Sequence, residues 1–175
     1  MISLVMDTSN SYLAVGLYQD NMCLEAFQEK GSRRQSEKAI PTLKEVLDRH
    51  DIALKDVNEM IITSGPGSYT GVRVAMTIAK TLAAVSDVRI KSVSSLAAYA
   101  GMNQALSVID ARGHKVFVGV YENGLPLIKE QVMTLEDFTQ LRAEYSDYEL
   151  VGEIGCLGLD EKECDLCANI YALGQ

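Results

Sequence analysis

One stretch of the sequence occurs twice, and this repeat limits the folds that the chain can adopt. Residues 5–21 align without a gap with residues 108–124, and the identical pairs are Val5/Val108, Asp7/Asp110, Val15/Val118, Gly16/Gly119 and Tyr18/Tyr121. Each copy has the pattern of a strand that ends in Asp, a second strand and a turn. The repeat predicts an α/β protein of two related lobes, residues 1–100 and residues 101–175.

The elements that follow each copy predict a βββαβα order in both lobes. In the first lobe the apolar patterns predict strands at 2–6, 12–18, 22–27 and 60–62, with helices opening at Ser36 and after the turn at Gly65–Gly67. In the second lobe they predict two strands of a hairpin within 108–121, further strands at 127–133 and 148–151, and a helix at 134–142. After Gly152 the second copy shrinks to one final helix, at 161–173. The second lobe is therefore predicted to be shortened.

Composition and charge exclude several classes of protein. A chain with 47% hydrophobic and 23% charged residues is typical of a soluble globular protein. Its net charge of −8 is unfavourable for binding nucleic acid on its own, and we interpret the basic cluster at 30–34 as a solvated loop. The apolar runs are short for a membrane span, and the N-terminus lacks a basic signal region. We expect a cytoplasmic protein without membrane contact.

The helix after the Gly65–Gly67 turn has a wider apolar arc than one core face requires. At about 100° per residue, its apolar positions cover an arc of about 200° up to Val85. Within the arc lie Met76 and a stripe of small residues at every fourth position: Gly71, Ala75, Ala79 and Ala83. We predict that these five residues bind a partner, because small side chains let another backbone approach closely. The alternative is a fully buried central helix.

A phosphate cradle is a weaker interpretation of the same turn. The spacing Gly65-x-Gly67-x-x-x-Gly71 is one residue longer than the dinucleotide fingerprint, and the Lys-Ser/Thr pair of a P-loop is missing. Polar side chains also end the first strand of each copy, at Asp7, Thr8, Ser9 and Asp110. Such positions often face a cleft. Because a carboxylate in a solvated cleft contributes little to packing, we expect Asp7→Ala to leave the fold largely intact.

The cysteines and histidines do not form a recognisable metal motif. Cys164 and Cys167 have C-x2-C spacing and Cys156 is near them, but the fourth cysteine, Cys23, is far away in the sequence. A structural zinc site needs four ligands. We therefore expect no metal site, and we expect unpaired thiols.

Two lobes that each carry an Asp after the first strand resemble the actin-like/sugar-kinase-like ATPase (ASKHA) fold. Within it, the chain is similar to the TsaB (YeaZ) family, bacterial scaffold subunits for threonylcarbamoyladenosine (t6A) formation at position 37 of tRNA. The matching segments are Leu4-Val-Met-Asp7-Thr8-Ser9, Ser36-Glu37, Ser64-Gly-Pro-Gly-Ser-Tyr-Thr-Gly-Val-Arg73 and Asp110-Ala-Arg112 with Val116-Phe117. The resemblance covers residues 1 to about 122.

The resemblance implies a partner subunit that is not itself catalytic. In the family the paralogue TsaD holds the metal with a His-x-x-x-His pair, whereas this chain has only His50 and His114, in different lobes. TsaD would form a heterodimer with this chain through helices of the first lobe, and TsaE would join them. The same surface would form a homodimer when the chain is alone, and tRNA would be met only through the complex.

The resemblance also bears on nucleotides. It implies that a vestigial phosphate cleft is formed by Asp7, Thr8, Ser9 and Asp110. It also implies that the isolated chain binds no cofactor, and it leaves open the binding of ATP or ADP at the junction with the partner. The alternative is an active ATP-dependent phosphotransferase or ATPase of the sugar-kinase class that uses the same four residues. Tight binding of Mg-ATP by the isolated chain would distinguish this alternative.

Overall fold

The computed structural model describes residues 1–31 and 34–175, without the side chain of Gln35. Ser32 and Arg33, in the basic cluster interpreted as a solvated loop, lie outside the described residues. The first lobe contains β1 (Ile2–Asp7), β2 (Tyr12–Gln19), β3 (Met22–Lys30), α1 (Gln35–Arg49), β4 (Glu59–Thr63), α2 (Tyr69–Val85), β5 (Arg89–Val93) and α3 (Ser95–Ala100). The second contains β6 (Ala105–Arg112), β7 (Lys115–Glu122), β8 (Leu125–Thr134), α4 (Leu135–Glu144), β9 (Glu149–Gly152) and α5 (Leu166–Leu173).

The two sheets have the same topology, which confirms the duplication inferred from the sequence. The first has the strand order β3-β2-β1-β4-β5 and the second β8-β7-β6-β9. In both, the Asp-bearing strand lies between its antiparallel hairpin partner and a parallel strand reached through a helix. A parallel pair needs such a crossover, whereas an antiparallel pair needs only a tight turn. The fold is α/β with two related lobes.

The second lobe is shortened at the position of α2. The first lobe has 17 residues in α2, and the corresponding place after β9 holds a 3-10 turn of four residues, Ile154–Leu157. Within the described residues β9 pairs with β6 alone, so the second sheet has no counterpart of β5. Among the described residues, α4 and the short turn cover the face of the second sheet that α1 and α2 cover in the first.

The repeated Gly and Tyr have a common packing role. Residues two apart in a strand point to the same face. A Cβ atom on Gly16 would lie 3.0 Å from the ring of Tyr18, and one on Gly119 would lie 2.5 Å from the ring of Tyr121. Each glycine thus makes room for the tyrosine ring that folds over it. This requirement explains two of the five identities in the repeat.

Helix α5 joins the lobes although it belongs to the second by sequence. It packs against β1, β2, β3 and β4 of the first sheet and against α3. The amide of Gln28 on β3 makes two bonds to the segment before and at the start of α5: it donates to the carbonyl of Cys164 at 2.6 Å and accepts from the N–H of Leu166 at 3.0 Å. Lys30 forms an ion pair with Glu161 beside it. The division of the chain into domains after residue 100 stays a prediction.

Candidate functional site

Asp7 ends β1 in a buried hydrogen-bonded cluster. Its Oδ1 atom accepts three bonds: from the Ser9 N–H at 2.8 Å, from Ser9 Oγ at 2.6 Å and from Thr63 Oγ1 at 2.6 Å. The Ser9 hydroxyl has one proton, which it donates to Asp7, so in the bond between the two serines Ser95 Oγ is the donor and Ser9 Oγ the acceptor, at 2.8 Å. We call Asp7, Ser9, Thr63 and Ser95 the Asp7 cluster. Burial raises the pKa of Asp7, and the hydrogen bonds from Ser9 and Thr63 oppose the rise only in part.

The cluster corrects the sequence interpretation of Asp7, Thr8 and Ser9. All three side chains are about 1% exposed, so they do not line a solvated cleft. Asp7→Ala would leave the Ser9 and Thr63 donors without their acceptor, which is costly for buried groups. The expectation that this substitution leaves the fold largely intact therefore rests on a wrong premise.

The loop that opens α2 covers the β1–β2 turn from outside. Thr8 Oγ1 donates to the carbonyl of Gly71 at 2.6 Å, and the Ser68 N–H donates to the carbonyl of Ser9 at 2.8 Å. A Cβ atom on Gly67 would lie 2.3 Å from the Ser9 carbonyl oxygen, and one on Gly71 would lie 2.1 Å from that of Thr8. Both positions require glycine because the two backbones touch.

Asp110 does not share the environment of its counterpart Asp7. It is exposed on β6, where its Oδ1 accepts from the Arg112 N–H at 2.8 Å. A bulge between Asp110 and Arg112 shifts the β6–β7 pairing by one residue relative to the β1–β2 hairpin. Phosphate and metal binding between two such hairpins needs free carboxylate and backbone groups on both. In the first hairpin, Asp7 Oδ1 and the hydroxyls of Thr8 and Ser9 are already bonded within the chain.

The small-residue stripe on α2 faces largely into the protein. Ala75 and Ala79 are fully buried and pack in the core of the first lobe with Ile78 and Leu82, and Gly71 meets the Thr8 backbone. Their assignment as partner-binding residues is corrected, because their own chain already makes the close contact. Three positions of the predicted set keep accessible surface: Ala83 is exposed, and Gly71 and Met76 are partly buried.

The exposed surface beside this stripe is a groove between α1 and α2. It has a volume of about 360 Å³ and is lined mainly by apolar side chains, among them Ile40, Leu43, Leu47, Ile78 and Leu82. The polar and charged side chains that line it include Thr77, Lys44 and Asp48. A second depression of about 400 Å³ continues it to the start of α2, past Tyr69, Thr70 and Arg73. We call both together the α1–α2 groove. Ile40 and Tyr69 stand open to solvent at its edge, with 62% and 75% exposure.

Sequence reasoning missed the groove although part of its signal was present. By its spacing Ile40 belongs to the apolar stripe of α1, a pattern that typically faces a core. It is instead the exposed member of that stripe, while Ala39, Leu43 and Val46 are buried. Charged groups stay at the margin, where Lys44 pairs with Asp48 on α1 at 2.6 Å. The Arg73 guanidinium lies over the Tyr69 ring, 5.2 Å from its centroid.

The cysteines are separate thiols. All four are free, and Cys164 and Cys167 point to different backbone carbonyls, those of Tyr99 and Phe27. Burial raises the pKa of Cys164 to about 11 and that of Cys167 to about 12.

Among the helices described, none is long and apolar enough to cross a lipid bilayer.

Comparison with known proteins agrees with the fold and the sequence motifs. The family profile described as "TsaD: tRNA N6-adenosine threonylcarbamoyltransferase" matches residues 28–150. The solved structure of YeaZ from Pseudomonas aeruginosa superposes with a TM-score of 0.81 at 22% identity, covering 98% of this chain and 89% of that one. This likeness confirms the predicted fold, an ASKHA-type α/β fold in two lobes.

Two curated relatives carry the name "tRNA threonylcarbamoyladenosine biosynthesis protein TsaB". The protein from Bacillus subtilis is 33% identical over 153 residues, which is 82% of this chain and 67% of the relative. The protein from Escherichia coli is 31% identical over 132 residues, 70% of this chain and 57% of the relative. The aligned part thus spans about two thirds or less of these relatives. The profile match over more than half of the chain and the identity above 30% over most of it show that this chain belongs to the TsaB (YeaZ) family.

Proposed function

We propose that the chain is a non-catalytic subunit in the formation of t6A at adenosine 37 of tRNA, and that it binds a TsaD subunit through the α1–α2 groove. TsaE joins this pair, tRNA is met only through the complex, and the work takes place in the cytoplasm. When the chain is alone, the same face forms a homodimer. ATP or ADP would bind only at the junction of the subunits.

The observation that carries the proposal is the exposed apolar groove on the two long helices of the first lobe. Concave, mostly apolar surfaces are the usual places where a ligand or an apolar helix of a partner binds. Two adjoining depressions share Ile40, Thr77 and Ile78, so the surface is continuous along both helices. Groove-lining helices of this kind accept another apolar helix face.

A non-catalytic role is supported by what surrounds the candidate catalytic groups. Asp7 already uses Oδ1 for three bonds within its own chain. The two histidines are 64 positions apart in the sequence, His50 at the end of α1 and His114 in the β6–β7 turn. His50 contacts Glu25 at 2.9 Å. Neither histidine therefore has a second histidine one helical turn away, which is the spacing of a metal-binding His-x-x-x-His pair.

The test is a binding titration with the TsaD subunit of the same organism. Ile40→Glu places a charge in the apolar groove and should weaken binding at least about 10-fold, since burying one such side chain contributes roughly 1.5–3 kcal/mol. Leu125→Glu is the matched control, because Leu125 has a similar exposure of 68% but lies on β8 of the second lobe. Equal effects of the two substitutions, or none from Ile40→Glu, would contradict the groove assignment.

The phosphotransferase alternative is tested on the isolated chain. Calorimetric titration with Mg-ATP should give no measurable heat of binding, because Asp7 Oδ1 and the hydroxyls of Thr8 and Ser9 are already bonded within the chain. Tight binding, or transfer of phosphate to an added sugar, would favour the alternative. Modification of tRNA by this chain without TsaD would equally overturn the non-catalytic assignment.

A further inference from the structure

We propose that the Asp7 cluster positions the start of α2 and thereby sets the shape of the α1–α2 groove and its affinity for a partner. Asp7, Ser9, Thr63 and Ser95 would then be positioning residues that act at a distance from the surface. The statement about affinity rests on the proposed function of the groove. The statement about the position of α2 stands without it.

The Asp7 cluster links three elements of the first lobe around one oxygen atom, Asp7 Oδ1. Asp7 belongs to β1, Thr63 is the last residue of β4, and Ser95 is the first residue of α3. The bonds from Ser9 and Thr63 converge on Asp7 Oδ1 at 2.6–2.8 Å, and Ser95 reaches the same group through Ser9 Oγ. Because hydrogen bonds are directional, they fix the backbone of Ser9 more closely than apolar packing would.

The backbone of Ser9 in turn holds the loop before α2. Its carbonyl oxygen accepts from the Ser68 N–H at 2.8 Å, and Ser68 is the residue that caps α2 by accepting from the Gly71 N–H. The missing side chains of Gly67 and Gly71 let this loop rest directly on Thr8 and Ser9. A shift of the Ser9 backbone therefore moves the first turn of α2.

The first turns of α2 form one end of the groove. Tyr69, Thr70 and Arg73 line it there, facing Ser36 and Ile40 of α1. The chain of contacts from Asp7 to the surface thus passes through Ser9 and Ser68. It ends at side chains that a docked partner would touch.

The test compares two buried serines at opposite ends of β1. Ser9→Ala removes hydroxyl bonds within the Asp7 cluster. Ser3→Ala removes an equivalent buried bond, because Ser3 Oγ donates to Glu59 Oε1 at 2.7 Å. Three quantities are measured on each variant: the melting temperature, the hydrogen-exchange rate of the Ser68 amide, and the Kd for the TsaD subunit.

Both variants should lose stability, but only Ser9→Ala should change the groove. We expect it to raise the Ser68 exchange rate and the Kd each by about 10-fold, the effect of losing roughly one buried hydrogen bond. Thr63→Val, which keeps the side-chain shape, should act in the same direction. Asp7→Asn keeps the Oδ1 acceptor and should preserve both quantities, whereas Asp7→Ala should not.

The outcomes separate this proposal from the one on which it depends. If Ser9→Ala and Ser3→Ala lower the melting temperature alike and Ser68 exchange stays at the wild-type rate, the Asp7 cluster is merely structural and the proposal is overturned. If the wild-type chain does not bind TsaD, the proposed function of the groove fails. Faster Ser68 exchange in Ser9→Ala would then still support the positioning of α2 by the cluster.

Discussion

Asp7 and Asp110 occupy the same place in the repeat, but their surroundings differ. The first is buried with three donors on one oxygen, and the second is exposed beside a bulge. The repeat predicts a strand that ends in Asp in both copies, which is correct for β1 and wrong for β6, since β6 continues to Arg112. It does not reveal the surroundings of each carboxylate, because Thr63, which donates to Asp7, is 56 residues away in the sequence. The loop that packs on Thr8 and Ser9 is equally distant and acts through the backbone of Ser68 and Gly71.

The buried carboxyl of Asp7 predicts a dependence of stability on pH. Burial raises its pKa in the folded state above the ordinary value of 3.8. In the interval between these pKa values the folded state binds more protons than the unfolded state, so the free energy of unfolding falls as pH rises. The free-energy cost of burying the Asp7 carboxyl is therefore smallest below about pH 3.8, where the carboxyl is protonated in both the folded and the unfolded state.

Asp7→Asn isolates this contribution because an amide does not titrate there. The variant should gain stability relative to wild type as pH rises from 3.8 through the raised pKa, and the difference should vanish at lower pH. Urea unfolding of both proteins at a series of pH values measures it. A constant difference at all pH values would contradict the assigned pKa shift.

Helix α2 shows how far a periodic pattern can be interpreted. The pattern correctly predicts its existence and its extent to Val85, and the structure shows Ser68 as its N-cap. The apolar arc also predicts that the helix has more than one neighbour. It cannot say which part of the arc faces inward, because alanine and glycine fit both a core and an interface. The decisive contact is that of Gly71 with the Thr8 backbone, which no spacing rule contains.

The orientation of α2 leads to a prediction that separates stability from binding. Ala79→Gln inserts a longer polar side chain into the core of the first lobe and should lower the free energy of unfolding by about 1–3 kcal/mol. Thr77→Gln, on the exposed side of the same helix, should leave that free energy nearly unchanged and weaken TsaD binding instead. Guanidinium unfolding and a binding titration on both variants check this. A stable Ala79→Gln monomer would mean that α2 is rotated from the position described.

At the scale of the whole molecule, the lobes are coupled through α5. The duplication and the shortening after Gly152 can be predicted from the sequence, because repeated strands keep their pattern. The packing of α5 on the first sheet cannot be predicted in the same way. It depends on Gln28 meeting the backbone of Cys164 and Leu166, a contact over more than 130 residues.

This coupling predicts that the two lobes unfold together. Gln28→Ala removes both bonds to the α5 segment. It should lower the free energy of unfolding by about 1–3 kcal/mol, because two hydrogen bonds are lost. Gln131→Ala, an exposed position on β8, is the matched control and should change it little. Fluorescence and circular dichroism followed in urea should give coincident transitions in wild type. Two separate transitions in the wild-type protein would show that α5 does not couple the lobes.

The missing counterpart of α2 in the second lobe has a consequence for valency. A duplicated subunit with an equivalent helical groove on each lobe could bind one further copy at each groove. Repeated binding would then build an open filament, because contacts that do not close on themselves propagate. In the part of the chain that is described, a four-residue turn stands where the second long helix would be. Growth through this face would therefore stop at a pair, and a copy engaged by a partner has no equivalent face left to recruit another.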